Sequence, residues 1–285
     1  MNTEFEFVRL VGEERRVGTT LASVSRHWQD KKECFLFASP HDDDVVIGSA
    51  IFIQHAVEQG IPVHILIVTD GSMGYCKPEH RDSIAGIRKE ETYECFKVLG
   101  VPESNVHYLE FPDGGLTSYR GRRCANECDH VDLVIEDYAG LQNSFTYWLR
   151  KIRPTQCFLP TENDFHPDHK ITYAEFLISV FHASGNIWPE LGAPLGYVPY
   201  LHELAIYCDF PSAPNLRIKC SDRVFEKKLE SILAYRSQEQ IHAIIDEIRK
   251  TGPMEFFRNV EFKLYNPLKH NQLFDHPQPF KGMFR

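Results

Sequence analysis

Two short clusters concentrate the residue types that hold metals and move protons: Ser39-Pro40-His41-Asp42-Asp43-Asp44 and His166-Pro167-Asp168-His169. Three adjacent carboxylates repel one another, a cost that is tolerable on a solvated turn or beside a cation that offsets the charge. The first cluster therefore reads as a surface turn, a helix start with an Asp as N-cap, or a metal site. Two imidazoles and one carboxylate would make a three-ligand zinc site with a position left for water, unlike the closed four-ligand set of a structural site. Hydrolysis is the natural chemistry of such a centre, because the ion brings the pKa of its water to about 7. Helix capping and a satisfied, partly buried imidazole are the plain alternative for His166 and His169. Were Asp42, Asp43 and Asp44 all to grip the ion, hard oxygen ligands would favour Mg²⁺ or Mn²⁺ and phosphoester hydrolysis; two histidines favour zinc or iron. A third cluster, Cys124, Cys128 and His130, offers half of a structural metal site with no second CxxC-type half to complete it.

For the two main clusters to share an ion, the chain must bring them to one place. Apolar runs at Glu33 to Ser39 and Val63 to Thr69 read as buried parallel strands, Asn105 to Phe111 as a third strand and apolar Gln156 to Leu159 as a fourth. Helical periodicity over Ile47 to Gln59, Ile84 to Leu99, Leu141 to Ile152, Asp168 to about Phe181 and Asp222 to Tyr235 supplies the crossovers. A further strand is expected over Leu204 to Cys208, and added strands at Glu4 to Leu10 and Val260 to Tyr265. This rhythm predicts a Rossmann-like, doubly wound, mostly parallel α/β sheet of strand order 3-2-1-4-5, with N-terminal and C-terminal additions. No Ser/Gly-rich linker, charge block or repeat divides the chain, so residues 1–285 are expected to form one domain. In that order the first and fourth strands are neighbours at the switch point, and the two clusters leave their carboxyl ends facing one crevice.

Composition narrows the partners. With 31 Lys+Arg against 40 Asp+Glu the formal charge is -9, and no basic run stands out, which argues against nucleic acid. The apolar runs are too short for membrane insertion, which takes about 20 residues. MNTEFEFVRLVGEERR lacks a basic start followed by an apolar core, so a cytoplasmic location is expected, with the eight cysteines reduced. Aromatics in Gly185 to Pro199 would suit a sugar, packing or a homo-oligomer contact.

The motifs resemble those of the LmbE-like (PIG-L) N-acetylglucosaminyl deacetylase family, whose signatures are a His-Pro-Asp-Asp-Glu loop and a His-Pro-Asp-His loop. The second is intact here. In the first, an ungapped match pairs His41, Asp43 and Asp44 with the family's His and two Asp residues and keeps Gly48 in register, with Asp42 standing where the family has Pro and Val45 where it has an acid. Deleting one position matches Asp42, Asp43 and Asp44 to Asp-Asp-acid instead, so the base is Asp43 or Asp42 according to the register. Thr69-Asp70-Gly71, Arg88-Lys89-Glu90-Glu91, Leu99-Gly100-Val101, Phe111-Pro112-Asp113-Gly114 and Tyr235-Arg236-Ser237-Gln238 are further landmarks, in family order, across residues 33–240; 1–32 and 241–285 are extensions.

The resemblance implies Zn²⁺, or Fe²⁺ or another divalent transition metal, held by His41, Asp44 and His169. Asp43 would be the general base, and His166 would donate to the oxyanion with Asp168 orienting its ring and favouring its charged form. Arg88 and Asp113 would hold sugar hydroxyls, although a helix-face ion pair is an equal reading of Arg88. The implied reaction releases acetate and a free amine from a small amino sugar or glycoconjugate, its aglycone chosen by loops such as Ser72 to Arg81, Gly115 to His130 and Gly185 to Pro199. An amidase for larger acyl-amino-sugar conjugates, or an impaired sugar-binding or scaffold homologue, remain the alternatives.

Overall fold

Strands with no polar interruption belong where both faces of a sheet are covered. β3 (Phe35–Ser39) and β8 (Gln156–Pro160) meet that description, with five of five residues buried in each, and β4 (Val63–Thr69) departs from it inside the strand only at the half-buried His64. The computed structural model describes residues 4–25, 27–127, 133–261 and 265–275. Its main sheet also contains β1 (Phe5–Val11), β2 (Glu14–Gly18), β5 (Val106–Phe111), β9 (Tyr200–Leu204), β10 (Leu216–Cys220) and β11 (Met254–Asn259); β6 (Arg123–Cys124) and β7 (Tyr138–Ala139) form a separate ribbon. The nine strands run in the order β2-β1-β10-β11-β9-β8-β3-β4-β5. The segment β9-β8-β3-β4-β5 is parallel throughout and is the expected 3-2-1-4-5 arrangement, while β11, β10, β1 and β2 extend it as antiparallel strands.

The helices are α1 (Leu21–Val24), α2 (Asp44–Glu58), α3 (Ile84–Leu99), α4 (Leu141–Ile152), α5 (Pro167–Ser184), α6 (Asp222–Ile232), α7 (Ile241–Thr251) and α8 (Pro267–Asp275). Alternation along β3 sends Phe35 and Phe37 into a core shared with Phe52 of α2 and Phe96 of α3. Leu36 and Ala38 enter a second core with Phe145 of α4 and Phe176 of α5. Among the described residues no helix is long and apolar enough to cross a membrane.

Two strand assignments shift. The fifth parallel strand is Tyr200–Leu204 rather than Leu204 to Cys208, because Leu201 to Leu204 pair with β8 and Tyr207 leaves the sheet. The C-terminal strand is Met254–Asn259 rather than Val260 to Tyr265, of which residues 262–264 lie outside the described residues. In β10 charged side chains alternate with apolar ones, and β2 opens on three charged residues, Glu14, Arg15 and Arg16, which hid both from a reading based on apolar runs.

Helix α2 is broken at Ser49, where φ is -148° and ψ is 16°. A buried ion pair fills the break. Glu255 accepts from the Ile51 and Phe52 amides at 2.9 and 3.0 Å, and Lys228 Nζ donates to the Ile47 carbonyl at 2.7 Å and to Glu255 at 2.8 Å. The carboxylate therefore sits at the start of the second half-helix and the ammonium at the end of the first, each complementing the local backbone dipole. Residues from the C-terminal part of the chain thereby brace the helix that opens at Asp44.

Candidate active site

The carboxyl ends of β3, β4, β5 and β8 converge on one edge of the sheet, and the loops leaving them carry the acidic and imidazole groups. β3 ends at Ser39, and five residues later Asp44 opens α2. That turn is tied down from several sides: Ser39 Oγ donates to the His41 carbonyl, the Thr69 hydroxyl donates to the Pro40 carbonyl at 2.9 Å, and the His41 amide donates to Asp44 Oδ2 at 2.8 Å. From β8, the chain reaches α5 with His166 as its N-cap and Pro167 at its first position, a place proline suits. Asp168 and His169 then fall in the first turn, both buried.

The two clusters meet. Asp44 Oδ2 lies 3.1 Å from His41 Nδ1 and 3.1 Å from His169 Nε2, and the two nitrogens are 3.2 Å apart. Three mutually close acceptor-type atoms cannot all be satisfied by hydrogen bonds among themselves, since two protonated nitrogens would confront each other. A cation resolves the conflict: ligand bonds of about 2.0–2.1 Å in a tetrahedron imply ligand-to-ligand separations of about 3.3 Å. Asp44 Oδ1 is also buried without a hydrogen-bond partner. His169 Nδ1 faces Asp164 Oδ2 at 3.1 Å, an arrangement that fixes the proton on Nδ1 and turns the lone pair of Nε2 to the other two groups. The donor set thus fits a divalent metal.

Electrostatics point the same way. Burial pushes the His41 and His169 imidazoles down, yet neighbouring carboxylates, Asp44 foremost, outweigh it and hold both above the ordinary histidine range. Asp44 itself is held far below the usual carboxylate range: burial acts upward, but His169 and His41 overcome it. The cluster therefore draws positive charge to itself, as protons or as a metal.

Around this triangle, Asp113 Oδ1 lies 3.2 Å and Asp168 Oδ2 3.6 Å from His41 Nε2. Asp168 Oδ2 also accepts from the Gly114 amide at 2.8 Å. His166 stands edge-on to His41, ring centroids 4.7 Å apart. The Asp168 group that reaches His166 is its backbone amide, donating to Nδ1 at 3.3 Å, and the carboxylate is turned to His41 instead. Burial foremost, then the nearness of His41 and His169, holds His166 below the ordinary histidine range, while Asp168 and Asp44 act upward. With Nδ1 accepting, the neutral ring carries its proton on Nε2.

Arg88 and Asp42 form a bidentate pair, Nε to Oδ2 at 2.7 Å and Nη2 to Oδ1. Arg88 Nη2 is also 3.4 Å from Asp43 Oδ2, which accepts from Gln238 Nε2 as well. The Tyr235 hydroxyl, fully buried, donates to the Asp42 carbonyl at 2.7 Å. The three consecutive aspartates thus serve three different partners, which removes the reading in which they hold one hard ion together.

A model of the PIG-L family, described as GlcNAc-PI de-N-acetylase, matches residues 36–179, half of the chain and a span that includes both clusters. The chain belongs to the PIG-L family. Its relatives include diacetylchitobiose deacetylase of Thermococcus kodakarensis, 29% identical over 219 residues, covering 75% of this chain and 73% of the relative. A probable N-acetyl-alpha-D-glucosaminyl L-malate deacetylase 2 of Bacillus cereus is 26% identical over 214 residues, covering 72% and 83% respectively. Among solved structures, N,N'-diacetylchitobiose deacetylase from Pyrococcus horikoshii, in complex with an inhibitor, superposes with a TM-score of 0.65 at 24% identity, covering 90% of each chain, and shares the PIG-L fold.

Several contributors to this PIG-L site escaped the sequence reading. Asp164 has no motif of its own, and Gln238 was visible only as a landmark. Tyr207, hidden in a supposed strand, stands 5.2 Å from the His169 ring and 5.6 Å from Phe165, with both aromatics more than half exposed. Conversely, Gly185 to Pro199 is tied to the far end of α5. Arg150 donates to the carbonyls of Gly185 and Trp188, and the Leu195 amide donates to the Ala183 carbonyl. An 18-residue helix spans about 27 Å, so that loop is not at the site. The Ser72 to Arg81 loop does reach it, through the Met73 amide on Asp113 Oδ2 at 3.2 Å. In Gly115 to His130, and in the Cys124-Cys128-His130 cluster, residues 128–130 lie outside the described residues; Cys124 is exposed.

Proposed function

We propose that the protein is a metal-dependent N-deacetylase that hydrolyses the acetamido group of an N-acetylglucosamine-type sugar or glycoconjugate. The close approach of His41, Asp44 and His169, in a member of the PIG-L family, carries this reading. These three residues would hold the metal, and zinc is the ion their mixed nitrogen and oxygen set suits best. When bound, the metal supplies Lewis acidity, polarising an acyl carbonyl and acidifying water.

The chain's own groups handle the protons. Asp43, adjacent to Asp44 and held by Gln238 and Arg88, takes a proton from the attacking water as its oxygen bonds to the carbonyl carbon, and returns it to the departing nitrogen as the C–N bond breaks. His166, with its proton on Nε2, donates to the oxygen of the tetrahedral intermediate without needing to be charged. The ungapped register is supported by Asp44, not Asp43, being in contact with both imidazoles. Asp113, its two oxygens already facing His41 and the Met73 amide, would meet a sugar hydroxyl only through its spare lone pairs, and the exposed faces of Phe165 and Tyr207 offer stacking surface for a pyranose ring.

The test is a panel of N-acetylated sugars and glycoconjugates, diacetylchitobiose and N-acetylglucosaminyl malate among them, assayed for new primary amine with Zn²⁺, Fe²⁺, Mn²⁺ and Mg²⁺ added separately. Amine and acetate released in equal amounts are expected. Retained metal with no turnover of any N-acetylhexosamine would favour a binding protein instead.

A further inference from the structure

Gln238 is 2% exposed and lies on the stretch that follows α6. That stretch is fastened to the site and to α3: the Tyr235 hydroxyl donates to the Asp42 carbonyl at 2.7 Å, and the Ser237 amide and hydroxyl donate to the Glu91 carboxylate at 2.8 and 2.7 Å. From this fixed point Gln238 Nε2 donates to Asp43 Oδ2 at 2.5 Å. Arg88 Nη2, 3.4 Å from the same oxygen, is engaged by Asp42. Among the described residues none donates to Asp43 Oδ1.

A carboxamide carries its donor on one side and its acceptor on the other, so a single orientation of Gln238 can hold a carboxylate. Gln240 decides which one. Its Nε2 donates to Gln238 Oε1 at 3.1 Å, while its own Oε1 accepts from the Cys76 thiol at 3.6 Å. Turning the Gln238 amide over would set Oε1 against the Asp43 carboxylate and one N–H donor against another. Donor polarity therefore runs in one sense from the Ser72 to Arg81 loop, through Gln240 and Gln238, to Asp43. We propose that Gln238 and Gln240 are positioning residues for the hydrolysis: their amide relay pins Oδ2 of Asp43 and so presents Oδ1 as the atom that takes the proton of the attacking water. This rests on the deacetylase reading and adds to it which oxygen of the base is used and what aims it.

Steady-state kinetics of the zinc-loaded protein test it, on whichever N-acetylated sugar the wild type turns over fastest. Gln238→Leu, similar in size and without a donor, is expected to lower kcat by about 10–100-fold, the loss that follows from misaligning a catalytic group, with KM and metal content held. Gln240→Leu, at an exposed position, should lower kcat about 3–10-fold, and nothing further once Gln238 is already Leu. The deciding measurement repeats Gln238→Leu in the Asp43→Asn protein. A residue that acts through the Asp43 carboxylate has nothing left to aim there, so the added loss should shrink below about twofold, whereas general loosening of the site would carry over undiminished. Thermal melting verifies folding; should Gln238→Leu not fold, Gln240→Leu combined with Asp43→Asn gives the same cycle. The proposal is overturned by near wild-type kcat in both glutamine variants, by a full loss repeated in Asp43→Asn, or by loss of metal from folded Gln238→Leu. Failure of the deacetylase reading looks different, since the wild type itself would then release no amine from any N-acetylated sugar, and the inference would fall with it.

Discussion

The Asp44 carboxylate and the His169 imidazole, both fully buried, meet at 3.1 Å between Oδ2 and Nε2. Each sits in the first turn of its helix, α2 or α5, and the parallel pairing of β3 with β8 sets those helix starts side by side. The contact therefore depends on sheet order as much as on either residue.

Replacing His169 by Ala or Asp44 by Ala removes one of three donors, and the bound metal is expected to fall from about one ion per chain to below about a tenth, measured by elemental analysis after gel filtration. Asp164→Asn should act through His169. It should weaken metal binding about 10–100-fold in a chelator competition while leaving the ligands in place.

Asp43→Asn should lower kcat by about 10²–10⁴-fold with metal content retained, because it removes a proton acceptor and not a ligand. Asp42→Asn should leave kcat far less affected. The reverse pattern in steady-state kinetics would transfer the base to Asp42.

Removing one partner of the buried pair in the break of α2 strands the other. Lys228→Met or Glu255→Gln should cost about 3–5 kcal/mol in urea unfolding, whereas the double change Lys228→Met with Glu255→Leu should recover part of the loss.

His55 of α2 is buried against Phe5 and Phe7, and burial pushes its pKa down to about 4. In the unfolded chain it titrates near 6.5, so between those values the unfolded state binds a proton that the folded state refuses. Stability from this residue is complete above pH 6.5 and declines as pH falls toward about 4, by up to about 3 kcal/mol. Urea midpoints from pH 7.5 to 4.5 should show that slope, and His55→Leu should flatten it even if it lowers stability throughout.

Much of this was legible from residue order alone. Apolar runs, breakers and helical periodicity placed β4, α3 and α4 at the residues where they are found, and the family signatures pointed to His41, Asp44 and His169 as groups that belong together. Local periodicity carries that information because it reports which face of an element is dry. What only the tertiary structure decided concerns pairings between distant segments: Asp42 with Arg88, Asp43 with Gln238, His169 with Asp164, and Lys228 with Glu255 in the break of α2. Strands β2 and β10 became visible in the same way, through their partners. Such choices depend on which backbone ends abut and which polar groups are buried together, so the identity of a residue and of its immediate neighbours in the chain does not determine them.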